Sequence, residues 1–433
     1  MLTTTAIDRT AIVDWFRRNR QRSAELFDMI DPAAYYSRPI SLRNPIVFYE
    51  GHLPAFGVLA FLRRGLGQPS VDPRLEKLFE RGIDPDSEGA AVPRSGASTI
   101  WPSRSEVLAF GRACDDAMLE AIADFTPSPE AIEGLYTALE HEAMHQETLL
   151  YMWHRLPYEQ KRRPAAGDPH PGPDAHRSKS VVETSSAVAI PAGTAVLGSS
   201  RSSVGFGWDN EFDAHEVFVH AFAIDALPVN NAQFLEFVNA GGYSSRSLWD
   251  DEGWEWIQEQ EVRHPAFWLP ANRTSDAGGW RWLGMFGSLP LPADWPVYVS
   301  RAEAAAYAQW KGRRLMTEAE WHRAAEGATA GHADFAGFDP IAAGSYPETA
   351  SVHGVQDLIG NGWEWTSTVF GPFDGFVPMR SYPEYSADFF DGRHFVMKGA
   401  SPATARELIR PSFRNWFRGN YPYVYAKFRT VGA

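Results

Sequence analysis

Residues 161–186 read KRRPAAGDPHPGPDAHRSKSVVETSS, dense in Pro, Gly, Ser and charge and almost free of large apolar side chains. Such a stretch buries too little surface to join a core, so it separates two units, 1–160 and 187–433. The two sides differ in kind. Of 16 tryptophans, only Trp15, Trp101 and Trp153 precede residue 190.

The first side reads as four helical segments. One spans about Ala6 to Ile30, and a second opens at Asn44-Pro45 as cap and first helical residue. A third opens at Ser103, with Glu106 completing a capping box. The fourth opens at Ser128-Pro129 and can run to Leu156, before Pro157. With a long crossover over residues 65–102, this pattern predicts an all-α four-helix bundle. The second side has short apolar runs broken by glycine, proline and Trp-rich loops. Helices are predicted there only at Asn231–Ala240, Arg301–Trp310 and Thr317–Ala325, in a unit of α+β class.

Charge narrows the function. Forty basic residues against 54 acidic give a net charge of -14, which offers no overall basis for binding nucleic acid or anionic membranes. Cys114 is the only cysteine, so neither an internal disulfide nor a multi-cysteine metal site can form. Its helical setting beside Asp115 and Asp116 raises its pKa, which suits packing better than nucleophilic attack. With no leader-like start and no run of about 18 apolar residues, the expected location is cytoplasmic.

The sharpest local feature is His141-Glu142-Ala143-Met144-His145. Residues four apart lie about 40° apart around a helix, so both imidazoles can face one ion. The same residues also read as two surface histidines, or as the HExxH of a zinc peptidase with Glu142 as base. The metzincin continuation is absent, since Thr148 and Tyr151 stand where its glycine and third histidine would. Both histidines lie opposite the apolar stripe of Ile132, Leu135, Tyr136, Leu139, Ala143 and Leu150, so burying them needs another surface. His52, just before the helix-kinking Pro54, offers a third imidazole for a facial site with open positions. Glu142 and Gln146 flank the pair and are candidates to orient it.

Near the C-terminus, SFRNWFRGNYPYVYAKFR runs from Ser412 to Arg429. Such aromatic density suits packing, with Arg414 and Arg429 paired to acids. Equally, Trp416, Phe417, Tyr421 and Tyr423 with Tyr385 suit a pocket for a quaternary ammonium group.

Three segments carry a resemblance: FAIDALPVNNAQFLEFV from Phe222, GRRLMTEAEWHRAA from Gly312 and HGVQDLIGNGWEWT from His353. In that order they resemble the formylglycine-generating-enzyme-type domain, of C-type-lectin-like fold. That family's copper-binding cysteine pair is missing here. A DinB-like bundle followed by this domain resembles the ergothioneine-type sulfoxide synthases, non-haem iron enzymes that use O2 to join a sulfur donor to the imidazole C2 of hercynine, the N-trimethylated histidine. The resemblance implies Fe(II) on His52, His141 and His145, an active-site Tyr382, and substrate contacts at Asn415 and Trp416; the mechanism expected from this places Tyr382 as catalytic proton or hydrogen-atom donor and Trp416 with Tyr385 around the trimethylammonium.

Ala143 and Met144 stand where the family carries glutamines. Phe417 and Tyr421 stand where enzymes taking a γ-glutamylcysteine donor carry an acidic residue and an arginine. Each lost charge-assisted contact is worth about 1.5–3 kcal/mol, which disfavours a peptide donor. The pattern is similar to the selenoneine synthase branch, implying a selenosugar as donor in C–Se bond formation. The alternative is an ergothioneine-type enzyme taking cysteine or another thiol, and a non-catalytic lectin-like module is the reading from another class.

Overall fold

A computed structural model describes residues 7–80, 100–164, 186–271 and 279–432. Most of the expected linker lies outside them. The chain divides into one unit of Met1–Ala165 with Pro378–Pro383 and another of Ala166–Val377 with Glu384–Ala433. This differs from the division expected from sequence in two places: residues 161–164, expected as linker, pair with the helical unit through Ile30 and Met29, and Pro378–Pro383, more than two hundred residues beyond the helices, belongs with them. No local pattern in those six residues announces this, because their partners are side chains of distant helices.

The first unit is helical: α1 Arg9–Asp28, α2 Ile46–Gly57, α3 Pro73–Phe79, α4 Arg104–Asp124 and α5 Pro129–His154. Ser128 caps α5 by accepting from the Ala131 amide, with Pro129 in the first turn. Ser103 caps α4 through the Glu106 amide. Only that half of the expected capping box forms, because the Glu106 carboxylate pairs with Arg74 on α3 instead. Pro45 is itself the N-cap of α2, where no side chain bonds the first turn. The supposed crossover thus holds a further helix, α3, which packs on α2.

Pro54 lies inside α2, and the helix continues past it as a π-helical segment, Val58–Gly65. Proline has no N–H for the carbonyl four residues back, which weakens the regular ladder just before the wider turns begin. The π segment packs closely on α5. A Cβ on Gly134 would fall 2.3 Å from the Ala60 carbonyl oxygen, so glycine is what lets the two backbones meet.

The second unit is built around small sheets. Strands β1 Ala187–Ile190, β2 Gly193–Leu197, β3 His215–Val219 and β4 Phe222–Asp225 precede α6 Asn231–Asn239 and α7 Asp251–Glu259. Next come β5 Trp268–Pro270, β6 Trp280–Leu283, β7 Ser288–Pro290, α8 Arg301–Trp310, β8 Arg314–Leu315 and α9 Glu318–Ala324. Strands β9 Gly362–Val369, β10 His394–Ala400, β11 Asn415–Arg418, β12 Ala426–Lys427 and β13 Thr430–Val431 complete it. The sheet orders are β1-β4-β13-β8, β11-β10-β9-β12, β5-β6-β7 and the pair β2-β3. Helix α7 was not expected: Gly253 and three tryptophans nearby mask its period.

Ile190, Ile224, Met316, Trp321, Val355, Leu358 and Val431 form a core between the first sheet and α9. The arginines expected to pair with acids do so. Arg414 bonds Glu318 at 3.0 Å and Arg429 bonds Glu364 at 2.7 Å, both inside the fold. Register in β10–β11 opposes Val396 to Trp416, Phe395 to Phe417 and Met397 to Asn415.

Candidate metal centre

Helices α2 and α5 bring His52, His141 and His145 together, with one ring nitrogen from each within 4.8 Å of the others. His52 and His141 are 1% and 2% exposed. The surface that covers the two α5 histidines comes from α2: Phe56 stacks on His141 at 3.5 Å, and Tyr49 lies 5.8 Å from His145. Phe48 stacks on His52 at 5.0 Å.

The hydrogen bonds fix what His52 can do. Its Nδ1 lies 2.7 Å from the Phe79 carbonyl, which can only accept, so Nδ1 carries the proton. Nε2 is then a lone pair, and it has no partner in the protein. Both ring nitrogens of His141 and Nδ1 of His145 are likewise buried without partners. Burial lowers the pKa of His52 to about 4. Burial, the crowding of the three histidines and, for His145, the charge of Arg43 hold His141 and His145 well below the ordinary histidine value. Neutral rings with buried unshared lone pairs are costly unless something accepts those pairs. A divalent cation bound by imidazole does so, and the donor set fits one.

Glu142 and Gln146 do not orient the histidines. Glu142 accepts from Arg20 at 2.8 Å and from Ser23 Oγ at 2.6 Å, both on α1. Gln146 donates to the Asn19 carbonyl at 2.8 Å and to Ser23 Oγ at 3.0 Å. The cause is helical: the residue after each histidine lies about 100° round the axis, on the face that α1 covers. Glu142 is therefore not placed as a peptidase base. The orienting group that sequence reasoning missed is the Phe79 carbonyl, which belongs to a backbone and carries no residue signature.

Tyr382 lies in the segment that joins the helical unit. Its ring centroid is 4.9 Å from Phe56 and 6.0 Å from His141. Cys114 is buried, and burial with the Asp115 charge raises its pKa, as expected for a packing residue.

In the second unit the aromatic residues expected to line one pocket fall into two groups. Trp416 stacks on Phe370 at 4.3 Å and meets Tyr385 at 4.8 Å, and Tyr385 packs 3.9 Å from Trp208. Phe417 instead stacks on Tyr421 at 5.1 Å, with Tyr423 edge-on to Tyr421 at 5.2 Å. Successive residues of β11 point to opposite faces, so Trp416 and Phe417 do not share one cage. The Asn415 side-chain oxygen accepts from the Trp416 amide at 2.9 Å.

Residues 173–433 match the Sulfatase-modifying factor enzyme 1-like domain family and residues 16–149 the DinB superfamily. The chain is 32% identical to the hercynine oxygenase of Mycolicibacterium thermoresistibile, over 92% of this chain and 89% of that protein. The chain belongs to the hercynine oxygenase family. Hercynine oxygenase of Mycobacterium tuberculosis is 31% identical, covering 94% of each chain. Ergothioneine biosynthesis protein 1 of Schizosaccharomyces pombe is 28% identical over 92% of this chain and 52% of its own length. As a hercynine oxygenase family member the protein is an oxidoreductase. Among the described residues, no helix is long and apolar enough to cross a membrane.

Proposed function

We propose that the protein is an ergothioneine-type hercynine sulfoxide synthase, with Fe(II) held by His52, His141 and His145 and a thiol joined to the hercynine imidazole C2. The observation that carries this reading is the set of three converging imidazoles, His52 and His141 buried and His145 half-buried, with ring nitrogens that have no partner in the protein. Support comes from relatives named hercynine oxygenase and ergothioneine biosynthesis protein. When bound, Fe(II) supplies O2 activation, the redox capacity that the side chains lack.

The chain's own residues bind, orient and protonate. Phe79 holds the His52 ring through its Nδ1 proton, and Phe56 holds His141 by stacking. Tyr382, its ring 6.0 Å from that of His141, would supply a phenolic proton or hydrogen atom at this centre. Trp416 and Tyr385 offer π faces to a trimethylammonium group, and Asn415 orients the imidazole.

A second reading concerns the donor. Phe417 and the 3%-exposed Tyr421 form a stacked, uncharged aromatic pair where an amino-acid donor needs opposite charges. That pair favours a donor without an amino-acid head group, and a selenosugar satisfies it. The test is anaerobic Fe(II) loading, then O2 uptake with hercynine and each of cysteine, a glutathione-like thiol and a selenosugar, with products read by mass spectrometry. Uptake that does not depend on hercynine would overturn both readings.

A further inference from the structure

The Pro378–Pro383 segment is held on the helical unit by an arrangement centred on Ser381. The Ser381 amide donates to the Glu133 carboxylate at 2.8 Å, and its hydroxyl donates to the same carboxylate at 2.9 Å. Its carbonyl accepts from Arg64 Nη1 at 2.8 Å. Thr137 Oγ1 lies 2.8 Å from Ser381 Oγ. A carboxylate only accepts, so the Ser381 proton points to Glu133 and Thr137 is the donor in the remaining bond. Ser381 is 3% exposed and Thr137 is fully buried, so losing either partner leaves a polar group unsatisfied away from water.

The geometry of α5 gives this clamp its meaning. Glu130, Glu133, Thr137 and His141 follow one another at three, four and four residues, and so line one face of the helix. Arg380 pairs with Glu130 at 2.9 Å, Ser381 with Glu133 and Thr137, and Tyr382 meets the next turn at His141. The segment is therefore laid along α5 in register with the ligand helix. Pro383 disfavours helical backbone at Tyr382, and Ser381 is bonded at its N–H, O–H and C=O. Tyr382 is thus restrained from both sides.

We propose that Glu133, Thr137 and Arg64 are positioning residues that hold Tyr382 at the histidine centre by clamping Ser381. The clamp itself stands on geometry; its effect on product rests on the reading of Tyr382 as proton donor given above.

The test uses the full chain with Glu133→Ala, and Thr137→Val as a milder variant should the first fail to fold. In metal-free protein, amide hydrogen exchange of the peptide holding Ser381 and Tyr382 is expected to quicken at least tenfold in Glu133→Ala and less in Thr137→Val, while Fe(II) affinity stays within twofold. With Fe(II), hercynine and the accepted donor, the split between coupled product and oxidised donor is expected to move toward that of Tyr382→Phe. The double variant Glu133→Ala with Tyr382→Phe should match Tyr382→Phe alone. Unchanged exchange in both clamp variants overturns the proposal, as does an additive effect on product split in the double variant. Quickened exchange beside a Tyr382→Phe enzyme with parental products sustains the clamp and overturns the reading of Tyr382.

Discussion

His52 gives its Nδ1 proton to the backbone carbonyl of Phe79 at 2.7 Å. The Phe79 ring sits directly on the α2 backbone, where a Cβ on Gly51 would fall 2.4 Å from it. A glycine thus permits the contact that sets the tautomer of its neighbour, and α3 acts on the three-histidine cluster through a single carbonyl.

Gly51→Ala is expected to push Phe79 away and loosen His52. Partners that orient a metal-bound histidine are worth about 10–100-fold in affinity. Titration of the metal-free protein with Fe(II) under anaerobic conditions should show a loss in that range, while helical content is retained.

Glu142→Ala removes the carboxylate that accepts from Arg20 and Ser23. With Arg20 left short of a partner, the cost is expected to be about 3 kcal/mol in urea unfolding. Glu142→Gln keeps the acceptor oxygen and should cost less. Metal affinity of the folded variants should stay near the parent's, since Glu142 faces α1; a large fall in turnover with Gln at unchanged affinity would instead mark it as a base.

Burial raises the pKa of Asp115 from 3.8 to about 6, against the pull of Arg20 at 2.8 Å. Between those values the folded chain holds more protons than the unfolded one, so stability falls as pH rises through the window and levels above it. Asp115→Asn should therefore be the more stable protein above pH 6, by about 1–2 kcal/mol after allowance for a partly exposed side chain. The advantage should vanish below about pH 4. Denaturant midpoints across that range check it.

Exchanging the stacked pair for charges, as Phe417→Asp with Tyr421→Arg, should favour an amino-acid donor. Two charge-assisted contacts at about 1.5–3 kcal/mol each would lower KM for a γ-glutamylcysteine-type donor by tenfold or more. Steady-state kinetics with that donor decide, and an unchanged KM removes these positions from the donor site.

Local signals carried far in this chain. Ser128, Pro129 and Ser103 announce their helices because caps act within one turn, and four-residue spacing aligns His141 with His145. The same reasoning could not show that Glu142 would be taken by Arg20, because α1 meets α5 across more than a hundred residues of sequence. The five aromatic residues near the C-terminus read as one cluster in sequence, yet strand alternation in β11 divides them.

From sequence alone came the two-part chain and the His141–His145 pair on one helix, since composition, caps and periodicity are properties of neighbouring residues; His52 was only an available third imidazole until the family resemblance assigned it to the site. Tertiary structure alone decided that the Phe79 carbonyl sets the His52 tautomer and that Ser381 docks on Glu133. It also placed Tyr382 with the helices rather than with the domain around it in sequence. Those contacts join residues far apart along the chain through hydrogen bonds whose partners only folding brings within about 3 Å.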